Sequence, residues 1–173
     1  HRMDIIILLT TFFLTVVFDL IIAIEIGIIL SSFMFMKRMS ESVHIQNITS
    51  ENKIKEHLFE QEIINLPKEV MLFEINGPLF FGAARQFQET LTNFNNDCKI
   101  VILRMRYVPI IDATGFQSLK EIIKTFNNNG ILIILSGINP ELRSNFRKNG
   151  IYEIIERKYI VSNITMAISS AKT

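Results

Sequence analysis

Cysteine is almost missing from this sequence, in which Cys98 stands alone. A single thiol can neither close an internal disulfide nor supply a thiolate metal cluster, so a reducing, cytosolic face is the expected setting. An excess of one charge is missing too. Beyond Met39 there are 15 basic and 14 acidic residues, and the net charge of the whole chain is +1. With no basic field to track phosphates, nucleic acid is excluded as the main partner. The common signatures of chemistry are also absent. There is no Gly-x-x-x-x-Gly-Lys loop, no Gly-x-Gly-x-x-Gly after a strand and no Gly-x-Ser-x-Gly elbow. His44 and His57 have no second ligand at metal spacing, and no histidine lies near an acid or nucleophile motif. The sequence therefore predicts neither an enzyme nor a bound metal or cofactor.

Long apolar sequence is what it has instead. From Ile5 to Met36 the charged residues are Asp19 and Glu25 alone. A helix over that run would reach roughly 48 Å against a hydrocarbon core of about 30 Å, so something must break it. Asp19 is the expected break, because an acid there can cap a new helix and its charge costs little at an interface. The reading is two short helices, about 5–18 and 20–36, with Arg2 before the first and Lys37-Arg38 after the second. Basic residues at both outer ends put both in the cytoplasm, which makes the segment a hairpin in the cell (inner) membrane. A cleaved leader fits poorly, since the run is too long and lacks an Ala-x-Ala site. Two barely spanning helices, and a chain opening on His1, suggest the end of a larger membrane protein. Glu25 reads either as an ion-coupled carboxylate in a transport path or as an acid bonded to a neighbouring helix. Gly27 and Ser31, with Ser32, form a small-residue stripe suited to close helix contact.

After this hairpin (1–39), residues 40–66 read as a connector, polar at first and then amphipathic up to Pro67. Residues 67–173 alternate apolar runs with helical periodicity. Strands are expected at 69–75, 99–105 and 131–137, with a short extended piece around "GPLFFG". Helices are expected at 83–95, after Asp112 with Phe116, Leu119, Ile122, Ile123 and Phe126 inward, after Asn139 with Leu142 and Phe146 inward, and at 161–171. Strand–helix alternation implies an α/β domain with a mainly parallel sheet and covering helices. Phe80 and Phe81 beside a strand read as core in preference to a base-stacking pair.

The stretch "VPIIDATG" ends a strand on Asp112, Thr114 and Gly115. Asp112 is placed to cap the next helix by accepting the amide of Thr114 or Gly115. Thr114 then lies in the first turn, where a phosphate would be stabilised by the positive end of the helix. Gly115 allows another backbone, or an anion, to come close. The same residues also read simply as a cap, a threonine and a packing glycine.

These residues carry a resemblance. "VILRMRYVPIIDATGFQSLKEI", with "INGPLFFGAA" upstream and "NPELRSNFRKNGI" downstream, resembles the STAS domain of sulfate transporters and anti-sigma-factor antagonists. The preceding "ILLTTFFLTVVFDLIIAIEIGIILSSFMFMKRM" is similar to the last two membrane helices of the SulP anion permeases. The resemblance implies a secondary active transporter of sulfate, bicarbonate, chloride or dicarboxylate, working as a homodimer. Its anion would bind to upstream helices, while the cytosolic STAS domain would assemble or regulate it, with a cytosolic regulatory protein or a nucleotide as candidate partners. In the antagonists the matching turn is Asp-Ser-Ser-Gly with a phosphoacceptor second serine, and Thr114 keeps a hydroxyl there. The alternatives are a membrane-tethered signalling switch of that antagonist type and a nucleotide-sensing module.

Overall fold

The computed structural model describes residues 2–41, 43–48, 66–67, 69–80 and 98–172. Two compact units make up the chain, His1–Ser42 and Val43–Thr173.

The first unit is a pair of helices, α1 (Arg2–Val17) and α2 (Leu20–Glu41), which are 16 and 22 residues long. The break falls at Phe18-Asp19, where the Asp19 carboxylate accepts the Leu20 amide at 2.6 Å and its carbonyl accepts the Ala23 amide at 3.1 Å. An acid thus starts α2, as the sequence indicates. The hydroxyls of Thr11, Thr15 and Ser32 bond back to carbonyls of their own helix at 2.8–3.0 Å, which leaves the surface apolar. Gly27 sets the closest approach: a Cβ there would stand 2.6 Å from Thr11 Cγ2. An ion pair between Arg38 and Asp4 joins the outer ends of the two helices. α2 runs past the expected end at 36 because Lys37 and Arg38 favour helix and suit a helix C-terminus. Among the described residues, one helix is long and apolar enough to cross a membrane, Leu20–Met39, and Asp4–Val17 is a shorter apolar helix.

The second unit is a five-stranded sheet in the order β1 (His44–Asn47), β2 (Val70–Asn76), β3 (Ile100–Tyr107), β4 (Leu132–Ser136), β5 (Ile160–Val161). β2 to β5 are parallel, and β1 is antiparallel on the β2 edge. That edge corrects the expected connector over 40–66. Val43 is fully buried, Ile45 packs on the same core, and His44 and Gln46 point to solvent, so the stretch has strand alternation. His44 pairs with Asn76 and Asn47 with Phe73. The expected amphipathic stretch before Pro67, with His57, and the expected helix 83–95, with Phe81, lie outside the described residues.

Among the described residues of this unit there are three α-helices, α3 (Ala113–Asn128), α4 (Pro140–Lys148) and α5 (Ile164–Lys172). A sheet that steps in one direction places its crossover helices on one side. Accordingly, Phe73, Val101, Leu103, Ile133 and Leu135 share a core with α3 and α4, where Phe116 meets Phe146 edge-on at 5.8 Å. On the other side Val70, Leu72, Ile102 and Ile134 are covered by Ile164, Ala167, Ile168 and Ala171 of α5. Asn139 caps α4 through the Leu142 amide at 2.7 Å, with Pro140 in its first turn. The run "IYEIIE" makes a short 3-10 turn, Ile151–Glu153, and α5 starts later than 161, behind the Asn163 cap.

Candidate functional site

β3 ends where Val108 folds back, its amide donating to the Met105 carbonyl at 3.1 Å. The chain stays extended through Ile110 and Ile111 because Leu79 runs beside it. The Leu79 amide donates to the Ile110 carbonyl at 3.0 Å, and the Leu79 carbonyl accepts the Asp112 amide at 3.1 Å. Asp112 is extended (φ −83°, ψ 177°), and its carboxylate accepts the Gly115 amide at 2.6 Å. Its carbonyl takes the Phe116 amide at 2.9 Å, the first bond of α3. Of the two amides the sequence allowed, the structure selects Gly115.

Gly115 is buried, with the Leu79 carbonyl directly where its Cβ would be and Ile111 Cγ2 at 2.8 Å from that point. The close approach left open by the sequence is therefore made by backbone. Thr114 is exposed in the first turn of α3, so its hydroxyl stands near the positive end of that helix. A negative group added there meets solvent and free helix dipole.

Asp19 sits at the α1–α2 break, Gly27 on the seam against α1, and Ser31 on the rim of an open groove with Thr11, Thr15 and Ser32. Glu25 is exposed on α2. These residues belong to the first unit, and Asp112 and Thr114 to the second. Among the described residues, no group of three or more His, Cys, Asp or Glu is arranged to hold a metal ion.

Sequence reasoning missed a polar row on the α5 side of the sheet. Glu74, Arg104 and Ser136 are aligned by the strand register. Arg104 Nη1 donates to Glu74 Oε2 at 2.6 Å, Asn76 donates to Glu74 Oε1 at 3.1 Å, and the Arg104 guanidinium lies over the Tyr107 ring at 5.6 Å. The available signal was a single charge inside each of two apolar runs, "VMLFEI" and "IVILRM".

Burial pushes the Cys98 thiol up, although its sulfur contacts the Ile100 carbonyl at 3.4 Å. An unfolded chain would release that proton from about pH 8.5, before the folded one does. Stability linked to this thiol is complete below that pH and falls as pH rises toward the higher folded value. Urea melts between pH 8 and 10 should show a shallower decline in Cys98→Ala than in the parent.

Residues 63–171 match the STAS domain family, and the chain belongs to it. More narrowly, its homology is to the SulP-type transporters, of which it represents a C-terminal part. It is 29% identical over 157 residues to the "Putative sulfate transporter YvdB" of Bacillus subtilis, covering 90% of this chain and 28% of that one. It is 22% identical over 162 residues to the "Bicarbonate transporter BicA" of Synechocystis, covering 91% of this chain and 28% of that one. A crystal structure of a sulfate transporter family protein from Wolinella succinogenes matches 62% of this chain and 88% of that one at 36% identity, with a TM-score of 0.59. Murine Solute Carrier 26 family member A9 shares the fold over 99% of this chain and 29% of its own, at 16% identity and a TM-score of 0.72. The chain thus spans under a third of its curated relatives, which are transporters and not enzymes.

Proposed function

We propose that this chain is the C-terminal segment of a secondary anion transporter, whose STAS domain lies in the cytoplasm and assembles or regulates the membrane part. One observation supports it most. A pair of apolar helices and a STAS domain occur together in one chain, and relatives named as sulfate and bicarbonate transporters align over nine-tenths of it. In this reading the labour is divided: upstream helices bind the anion, and this segment sets assembly and rate. Sulfate, bicarbonate, chloride and dicarboxylate are the candidate cargoes, and a homodimer is the proposed assembly. Thr114 is the proposed regulatory hydroxyl.

The experiment is uptake by the full-length protein with and without residues 43–173. Truncation should lower the initial rate or the amount of protein in the membrane, while the order in which unlabelled anions compete stays the same. A changed competition order would sink the division of labour. A full-length protein that carries no anion would sink the transport reading itself.

A further inference from the structure

Within Leu20–Met36 of α2 the one charged residue is Glu25. The helix turns Ala23 and Gly27 toward α1, where Ala23 is buried and Gly27 abuts Thr11. Glu25 is two residues from each, so at about 100° per residue it lies on the opposite side. One turn away in both directions are Ile21, Ile22, Ile28 and Ile29, exposed by 64%, 43%, 63% and 54%. The carboxylate is thus the centre of an isoleucine patch. Two ridges cross there, Ile21–Glu25–Ile29 and Ile22–Glu25–Ile28, which is the surface a second helix packs into.

Two other acids on these helices, Asp4 and Asp19, are accounted for. Asp4 pairs with Arg38, and Asp19 holds the Leu20 amide at the helix break. Glu25 has no hydrogen-bond or ion-pair partner among the described residues, and the hydroxyls of Thr11, Thr15 and Ser32 are bonded to their own helices. In a bilayer the isoleucines are at ease and the carboxylate is not. It would lie about 7.5 Å inside the Leu20 end, deeper than a short glutamate stem comfortably spans, whereas lysine and arginine stems snorkel.

We propose that Glu25 is a docking carboxylate for a second membrane helix, which packs on the isoleucine patch and presents a lysine or arginine to it. A cation on that helix neutralises the charge in place, and the flat β-branched surface around it supplies the packing. The inference rests on the reading that α2 spans the membrane.

The test uses the full-length protein in membranes and mild detergent. Glu25→Gln should lower the melting temperature by several degrees, since a neutral amide leaves the partner cation buried and unpaired. Glu25→Lys should be worse, because it sets two cations together. The infrared difference between the parent and Glu25→Gln should show loss of an ionised carboxylate band. A protonated carboxyl band in the parent would overturn the proposal, as would a Glu25→Gln protein melting at or above the parent. Tolerance of Glu25→Lys would overturn it too, since that result marks a side chain reaching water. The membrane reading is checked separately with an impermeant thiol reagent. Cysteines at 2 and 40 should be shielded from outside and one at 19 reachable, and labelling of 40 from outside would remove the hairpin before any statement about Glu25.

Discussion

Arg104→Ala should lower the stability of the unit Val43–Thr173 by about 3–5 kcal/mol, the range for removing one partner of a buried ion pair. The Arg104 and Glu74 side chains are 9% and 15% exposed and are joined at 2.6 Å across neighbouring parallel strands. Truncating the arginine leaves a carboxylate with Asn76 as its remaining donor among the described residues, on the face that α5 covers. The loss comes chiefly from that stranded charge and only secondarily from the bond. It follows that removing both charges should cost far less. Arg104→Met with Glu74→Leu replaces the pair by apolar groups of similar bulk and should melt near the parent or above it. Urea melts of the parent, the single variant and the double variant decide the matter. A single-variant loss below about 1 kcal/mol would mean that the pair behaves as a solvated surface bridge.

How this pair escaped the sequence shows where one-dimensional reading stops. Strands β2, β3 and β4 were legible because each is an apolar run of strand length between turn residues, and burial on both faces leaves that mark. Helices α3 and α4 were legible from their periodicity and their capping acid or amide. β1 was not: four residues with one apolar position, Ile45, are indistinguishable from a polar connector until Val43 is seen in the core. β5 spans two residues and left no pattern at all. Glu74 and Arg104 are 30 residues apart, and only the parallel register brings them opposite each other.

The turn at Asp112 divides in the same way. Its cap needed only local spacing, and the acid three residues before Gly115 was enough to expect it. What fills the space at Gly115 was not local, because Leu79 reaches it from 36 residues upstream through one isolated bridge.

That contact carries the second large expectation. Gly115→Ala should destabilise the domain by about 1–3 kcal/mol or more, as overpacking of a filled interior does. The added methyl would meet the Leu79 carbonyl head-on and Ile111 Cγ2 at 2.8 Å, and neither is the free end of a flexible chain. To make room, Leu79 must move, and its bonds to Ile110 and Asp112 move with it. Asp112→Ala should cost less, about 0.5–2 kcal/mol, since it removes one cap bond and leaves the packing alone. Thr114→Glu should cost nothing or gain about 0.3–1 kcal/mol before solvent screening, because it puts negative charge at an exposed helix start. The order Gly115→Ala, then Asp112→Ala, then Thr114→Glu is therefore the expected ranking of stability loss in the isolated unit. Uptake by the full-length protein separates structure from regulation: Thr114→Glu should alter transport while its melting curve holds. If Gly115→Ala melts with the parent, Leu79 is not fixed against α3 and the turn is looser than the geometry states. If Thr114→Glu unfolds the domain, its hydroxyl is not at the surface, and a regulatory role for it falls with that placement.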